Sequence, residues 1–533
     1  MAWYQRHKAR RSTKAPTLTP AHCAYLEEAG ALLELPRQTV QALLPLYIAI
    51  LDDMVPLVDG PRLLRDWSNG TASRYLVRAV CLAVSKSPQA ASFLWLEDPS
   101  HDSKPLLALD FASHLLSGLD AALKSDLEPD RINRVRILAL MHLHTDGPGG
   151  LDRSLCLLSQ AISEAWCLSL HHPPPASAAG GAAADSDEEG YALLWWTLRH
   201  LDRLNKPITG AGPFIIDDSN AGISRIEPGD GHWSYKAQVA CVATSLGDLM
   251  VHATKVYKPN IVDMGDLCHD FPGLETLVGN FDLQTFHSAH RAYFEIWYHV
   301  AAMLSCRFSA PGTAPYTRRL SSADQVLGIV MGQQVASMVP LPLVPYAMSM
   351  CTTVIYRALR DKSREYNQAL ADLRQCSGIL NELGACWTSV RGICKLAKKI
   401  CSTTAPVEVM GADADAINAR AIDQSALRPG PGIAATAGDA AYSAASDPTM
   451  NLTDPNILPD STLLGTAEVD LVPAYAKDDT WASHMDPSSY FLMDSTFHLD
   501  FNTDMFSILM EDPALQELAP FIDDSIADST QRH

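Results

Sequence analysis

The twelve cysteines of this chain include no C-x-x-C pair, and no apolar secretion-type run stands at its N-terminus. The spacing therefore predicts a reduced intracellular protein rather than a disulfide framework. The densest group, Cys376, Cys386, Cys394 and Cys401, is spaced by ten, eight and seven residues. Paired metal ligands stand roughly two to five apart, so these four read as buried thiols on helix faces. Phosphate-binding loops are missing too: neither G-x-x-x-x-G-K-[ST] nor G-x-G-x-x-G occurs, and no G-x-S-x-G elbow presents a serine nucleophile. Charge is absent from Gln325 to Tyr356, a stretch long enough to cross a bilayer. Pro340, Pro342 and Pro345 interrupt it, and the piece after Pro345, YAMSMCTTVIY, is too short to span. A buried core helix and no membrane contact are expected there.

What charge there is lies unevenly. From Asp447 to His533, seventeen acidic residues face only Lys477 and Arg532, a net −15 out of −20 for all 533 residues. An acidic tail on a near-neutral body points to an interaction segment. The opposite end, MAWYQRHKARRSTK, carries Arg6, Lys8, Arg10 and Arg11 with no acid. That pattern suits a nuclear-import patch or a phosphate-binding arm over residues 1–35.

Apolar residues at helical spacing predict helices over 38–51, with Pro45 as a kink, and over 73–85, 105–124, 131–144 and 151–169. Residues 173–186, PPPASAAGGAAADS, read as a surface loop. Ser186 and Glu189 then have the S-x-x-E spacing of a capping box opening a helix that Pro207 stops. Further helices are expected over 233–257, 281–307, 322–338, 346–358, 362–383 and 385–401. Strand-like alternation is scarce, so 36–402 reads as one all-α unit. Residues 403–475, rich in Ala, Gly, Pro and Asp, are expected to be a disordered linker, because they can bury too little apolar surface to offset ordering entropy.

Few constellations could carry chemistry. His142 and His144 lie two apart and His171 adjoins His172, whereas helix-borne ligands stand about three or four apart; a helix end and a chain exit are the plainer readings. Asp52 with Asp53 and Asp217 with Asp218 raise the alternative of an all-helical, metal-dependent diphosphate enzyme, which needs two acid-rich faces converging on one substrate. The stretch DEEGYALLWWTLRHLDRLNKPITGAGPFIIDD holds the densest polar cluster. Arg199 and Asp202 are three apart and able to pair, while Tyr191, Leu194, Trp195, Leu198 and Leu201 form an apolar face. With no nucleophile nearby, and His200 on another face, no catalytic residue, metal ligand or cofactor is assigned.

That stretch resembles the signature of the fungal transcription factor regulatory middle homology region, found in zinc binuclear cluster regulators. Trp195, Trp196, Asp202, Arg203, Pro213, Asp217 and Asp218 fit the pattern, and Ala211 and Gly212 replace its usual Gly-Arg. Residues 24–59 are similar to the opening of the region in the cutinase transcription factor 1 beta type. LDRSLCLLSQAISEAWCLSLHHPPP resembles a helix ending in a Gly-Leu-His-Arg turn, with Ser169 and His172 in place of Gly and Arg. The stretch from PLPLVPYAMSM to LAKKIC resembles the closing bundle. The six-cysteine zinc cluster that reads DNA in that family has no counterpart, since only Cys23 precedes Cys81. Either the chain is a truncated form, or it regulates through partners or its basic arm.

The resemblance implies a nuclear, DNA-associated regulator of a metabolic or secondary-metabolite gene cluster, with a homodimer as an open arrangement. Independently, residues 476–533 mix acid with large apolar residues. Phe497, Phe501, Phe506 and Leu509 recur at helical spacing, with Trp481 upstream. Acid keeps such side chains accessible until they fold onto a coactivator of the transcription machinery. A scaffold or corepressor that never touches DNA is the alternative.

Overall fold

The computed structural model describes residues 17–98, 104–147, 149–173, 182–209, 214–226, 234–254, 271–279, 281–306 and 309–403. Regular structure among them is helical throughout: α1 (Pro20–Glu28), α2 (Arg37–Ile50), α3 (Gly60–Ser68), α4 (Arg74–Val84), α5 (Ala108–Lys124), α6 (Arg131–His142), α7 (Gly150–Cys167), α8 (Ala182–Thr209), α9 (Tyr235–Ala253), α10 (Leu274–Val278), α11 (Ser288–Ser305), α12 (Ala314–Gln333), α13 (Leu343–Arg360), α14 (Tyr366–Leu383) and α15 (Arg391–Thr403), with short 3₁₀ turns between. The expected all-α class is what the chain adopts.

Helices mostly pack on their neighbours in sequence. α6, α7, α8 and α9 form one run of adjacent pairs, and α11 to α15 another, with α9 packed on α11. α8 also touches α13, which places it between the two runs. One contiguous apolar core runs from Leu26 to Ile400. α13 is among its deeply buried helices, with α4 and the second half of α8, and includes the uncharged stretch after Pro345. Among the described residues, no helix is long and apolar enough to cross a membrane.

Two polar links tie distant parts of the body together. Arg78 on α4 is buried and donates to the carbonyls of Gly30 and Ala31, both at 2.8 Å. Gly118 on α5 makes room for this: a Cβ there would lie 2.2 Å from Arg78 Nη2 and 2.4 Å from Gly30 O. Farther along, Asp146 pairs with Lys86 and accepts from Thr388 N at 2.7 Å and Thr388 Oγ1 at 2.6 Å. Both partners of that ion pair are buried, so each compensates the desolvation of the other.

Several elements depart from the sequence reading. α1, α3 and the five-residue α10 lie where no helix was expected. Thr19 caps α1 ahead of Pro20, and Asp59 caps α3 ahead of Pro61, each side chain accepting from a free backbone N–H in the first turn. The 1–35 segment thus belongs to the body from Pro20 on, with Leu26 fully buried. α8 opens at Ala182, not at Ser186, because the alanine run 182–184 favours the helix upstream of the supposed capping box. Pro207 does not stop α8 either. It sits in the last turn, where its missing N–H costs one bond near the helix end.

Candidate functional site

α8 carries the signature stretch, and at 100° per residue its side chains divide into two roughly opposite faces. Trp196, Arg199, Asp202, Arg203 and Lys206 fall on one face; Thr197, His200, Leu201, Leu204, Asn205 and Ile208 fall on the other.

The first face holds a clamp. Asp202 is buried, and both its oxygens are met: Oδ1 accepts from Ile215 N at 3.0 Å, and Oδ2 accepts from Ile216 N at 3.0 Å and from Arg203 Nη1 at 2.7 Å. Arg203 also donates to Ile216 O at 2.8 Å. One carboxylate and one guanidinium thereby hold the backbone of the 214–218 segment. Arg199 reaches past Asp202 to Asp218, with Nε donating at 2.7 Å, and to Asp248 on α9 at 2.5 Å. The expected Arg199–Asp202 pair is therefore replaced: longer reach gives Arg199 two carboxylates outside its own helix, while the adjacent Arg203 takes Asp202. Arg225 closes the chain of charges on Asp248. The two acids are partly exposed, at 48% for Asp218 and 34% for Asp248, while Arg199 and Arg203 are not. The clamp thus runs from the core to the surface.

Aromatic and small residues complete it. Trp196 Nε1 donates to Ser224 O at 3.1 Å, and the guanidinium of Arg203 lies 4.7 Å from the Phe214 ring centroid. Gly247 on α9 permits the close approach, since a Cβ there would stand 3.2 Å from Arg199 Nη1 and 3.3 Å from Arg203 Cγ. Trp195 is buried beside His171, with 5.6 Å between ring centroids. His171 O accepts from Gly222 N at 2.8 Å and Ile223 N at 3.0 Å, which anchors the far end of the loop to the exit of α7.

Electrostatics follow burial. Burial raises the pKa of Asp202, offset by the two backbone N–H groups and the neighbouring arginines. Burial and the charge of Arg199 lower that of Arg203. For Asp218, burial is outweighed by the hydrogen bond and charge of Arg199 together with Arg203 and Arg225, so its pKa falls.

The other sequence candidates lie apart. Asp52 accepts from Gly60 N at 3.2 Å and pairs with Lys236; burial lifts its pKa to about 6 against the pull of that lysine. It is not brought together with Asp217 and Asp218: Asp217 is exposed and caps the turn at Ser219. His142 is buried, with Nδ1 2.8 Å from Ser154 Oγ. His144 is also buried, and its pKa falls to about 3 through desolvation and the nearby Lys86 charge. Among the described residues, no group of three or more His, Cys, Asp or Glu is gathered as a metal ion would require. Arg6, Lys8, Arg10, Arg11, Trp481, Phe497, Phe501, Phe506 and Leu509 lie outside the described residues, as do 211–213 and all of the 403–475 segment after residue 403.

Sequence reasoning missed Arg225, Gly247 and Asp248, because no spacing rule links Arg199 to a carboxylate 49 residues away. It also missed Asn205 and Trp297, which turn out to share a cavity.

Fold and site together define an all-helical domain braced by a buried arginine–aspartate clamp. Compared with known proteins, the chain matches no family model, and no curated protein matches it.

Proposed function

We propose that the protein is a regulator of transcription, not an enzyme, in which the helical body is a regulatory domain and residues 476–533 act as an acidic activation segment. The observation that supports this most is the bonding of Asp202. Its carboxylate is spent on Ile215 N, Ile216 N and Arg203, which suits the bracing role expected of the Trp195, Trp196, Asp202, Arg203 pattern. A second feature agrees. α7 ends in a Schellman turn, with Leu170 N on Ala165 O and Ser169 N on Trp166 O. Ser169 adopts φ +57° at the position where the similar family pattern carries glycine.

The test fuses residues 476–533 to a heterologous DNA-binding module beside a reporter gene. Activation is expected, and changing Phe497, Phe501 and Phe506 to Ala should abolish it. Silence from the fusion, or equal output from the triple variant, would sink the claim. Affinity of the full chain for duplex DNA, measured against salt, then separates a direct DNA binder from a scaffold: phosphate contacts weaken as salt rises, and a flat or absent response favours a scaffold.

A further inference from the structure

Behind the clamp, on the opposite face of α8, lies a partly open cavity where that helix meets α11, the start of α13, the α6–α7 junction and the α2–α3 connection. Within it, the centre of a water molecule can range over ≈ 40 Å³. One water needs roughly 10–15 Å³ of such space, so the room suits a ring-sized molecule better than a nucleotide or a peptide.

Two features of the lining point to a ligand. The first is the absence of charge: among the described residues, His142 and His200 are the only titratable nitrogen bases along it, and no Asp, Glu, Lys or Arg takes part. Both histidines are spoken for as neutral rings. His200 Nε2 lies 2.9 Å from Thr244 Oγ1, a hydroxyl that also reaches Ala240 O at 2.8 Å. Ser154 Oγ donates to His142 O at 2.7 Å, so His142 Nδ1 carries its own proton toward Ser154. Burial pushes both rings away from protonation, His142 to about 4. A charged guest would find no counter-ion here.

The second feature is unmet hydrogen bonding. Asn205 and Trp297 both line the cavity, each 2% exposed. Asn205 Oδ1 and Trp297 Nε1 are buried with no hydrogen-bond partner. A buried polar group left alone loses its hydration without recompense, and of the buried side-chain atoms without a partner among the described residues, Asn205 Oδ1 and Trp297 Nε1 are the two whose residues line this cavity. A hydroxyl-bearing guest would supply both complements, an O–H for Asn205 and an oxygen lone pair for Trp297, once the side chains that cover the two atoms move aside.

We infer that this cavity is a binding site for a small, neutral, mostly apolar molecule bearing a hydroxyl or similar donor–acceptor group. The inference is independent of the transcriptional reading, because it rests on a part of α8 that the signature residues do not occupy.

The test uses the full chain with ¹⁵N-labelled tryptophan, the indole N–H signal of Trp297 being assigned by Trp297→Phe. Phenol, benzene and benzoate are titrated as probes, with calorimetry in parallel. Phenol should bind saturably and move the Trp297 signal, with benzene weaker by about tenfold for want of the polar contacts and benzoate not binding. Asn205→Leu should cut phenol affinity about tenfold and leave benzene unchanged. Should that variant fail to fold, Val55→Phe fills the cavity from the α2–α3 connection and should abolish phenol binding. No saturable effect of phenol on Trp297, or equal binding of phenol and benzoate by the unaltered chain, would overturn the inference.

Discussion

The two faces of α8 solve opposite problems with similar residues. On the clamp face, Asp202 and Arg203 are desolvated, yet both carboxylate oxygens have donors and the guanidinium holds a carboxylate and a carbonyl. On the cavity face, Asn205 is uncharged and equally buried, yet its side-chain oxygen Oδ1 has no hydrogen-bond partner. The comparison teaches that burial of a polar side chain says little until its partners are counted. A met group braces a fold, and an unmet one beside a cavity marks a place with room for something else, whereas Arg199 Nη1 and Arg203 Nε stay unmet within the clamp itself.

The two faces should therefore respond to mutation with opposite sign. The largest effect is expected from Asp202→Ala, which removes the buried carboxylate partner of Arg203, leaving it the half-exposed Asp218 alone, and strands two backbone N–H groups. Loss of one partner of a buried pair costs about 3–5 kcal/mol, and denaturant unfolding would read it. If this variant instead keeps its stability and loses a catalytic activity, the bracing account fails. Asn205→Leu goes the other way. Removing an orphan acceptor in favour of apolar volume should raise stability by about 1 kcal/mol, visible as a higher midpoint in the same assay.

Ser169→Gly sharpens the picture at the loop's other anchor. Relief of the left-handed backbone at φ +57° should stabilise by roughly 0.5–1 kcal/mol, the strain relieved exceeding the added freedom of the unfolded chain. The smallest effect is electrostatic. Because the clamp arginines depress the pKa of Asp218, its contribution is complete above the unfolded carboxylate value near ~4 and is lost as pH falls through the folded one. Asp218→Asn should blunt that acid loss by under about 1 kcal/mol, since solvent screens a half-exposed carboxylate. Asp52 has the opposite sign. With its pKa lifted to about 6, its stabilising term is fully present only below about pH 4 and is lost as pH rises through 6. A pH series on Asp52→Asn would show that slope flattened.

Much of this architecture is legible in the amino-acid sequence. Periodicity located α2, α4 to α9 and α11 to α15 to within a few residues at most ends, since these helices bury broad apolar faces. α1 and α3 escaped because they are nine residues each and their starts are written in caps, Thr19 and Asp59, rather than in apolar repeats. The site was half legible. Trp195, Trp196, Asp202 and Arg203 stand close in sequence and read as one cluster. Their true partners, Ile215, Ile216, Asp218 and Asp248, come from a loop and from α9, and tertiary contact alone decides which arginine takes which acid. The cavity was not legible at all: Asn205 and Trp297 are 92 residues apart, and an unmet hydrogen bond leaves no trace in composition.

The central claim, that the signature polar cluster braces the fold, is tested most directly by hydrogen exchange at the amides of Ile215 and Ile216, compared between the unaltered chain and Asp202→Asn. Half of the neutral side chain's acceptor capacity is gone, so at least one of the two amides loses its partner. Protection there should fall by about tenfold or more, with the helix amides of α13 unchanged. Equal protection at both positions in the two proteins would contradict the account.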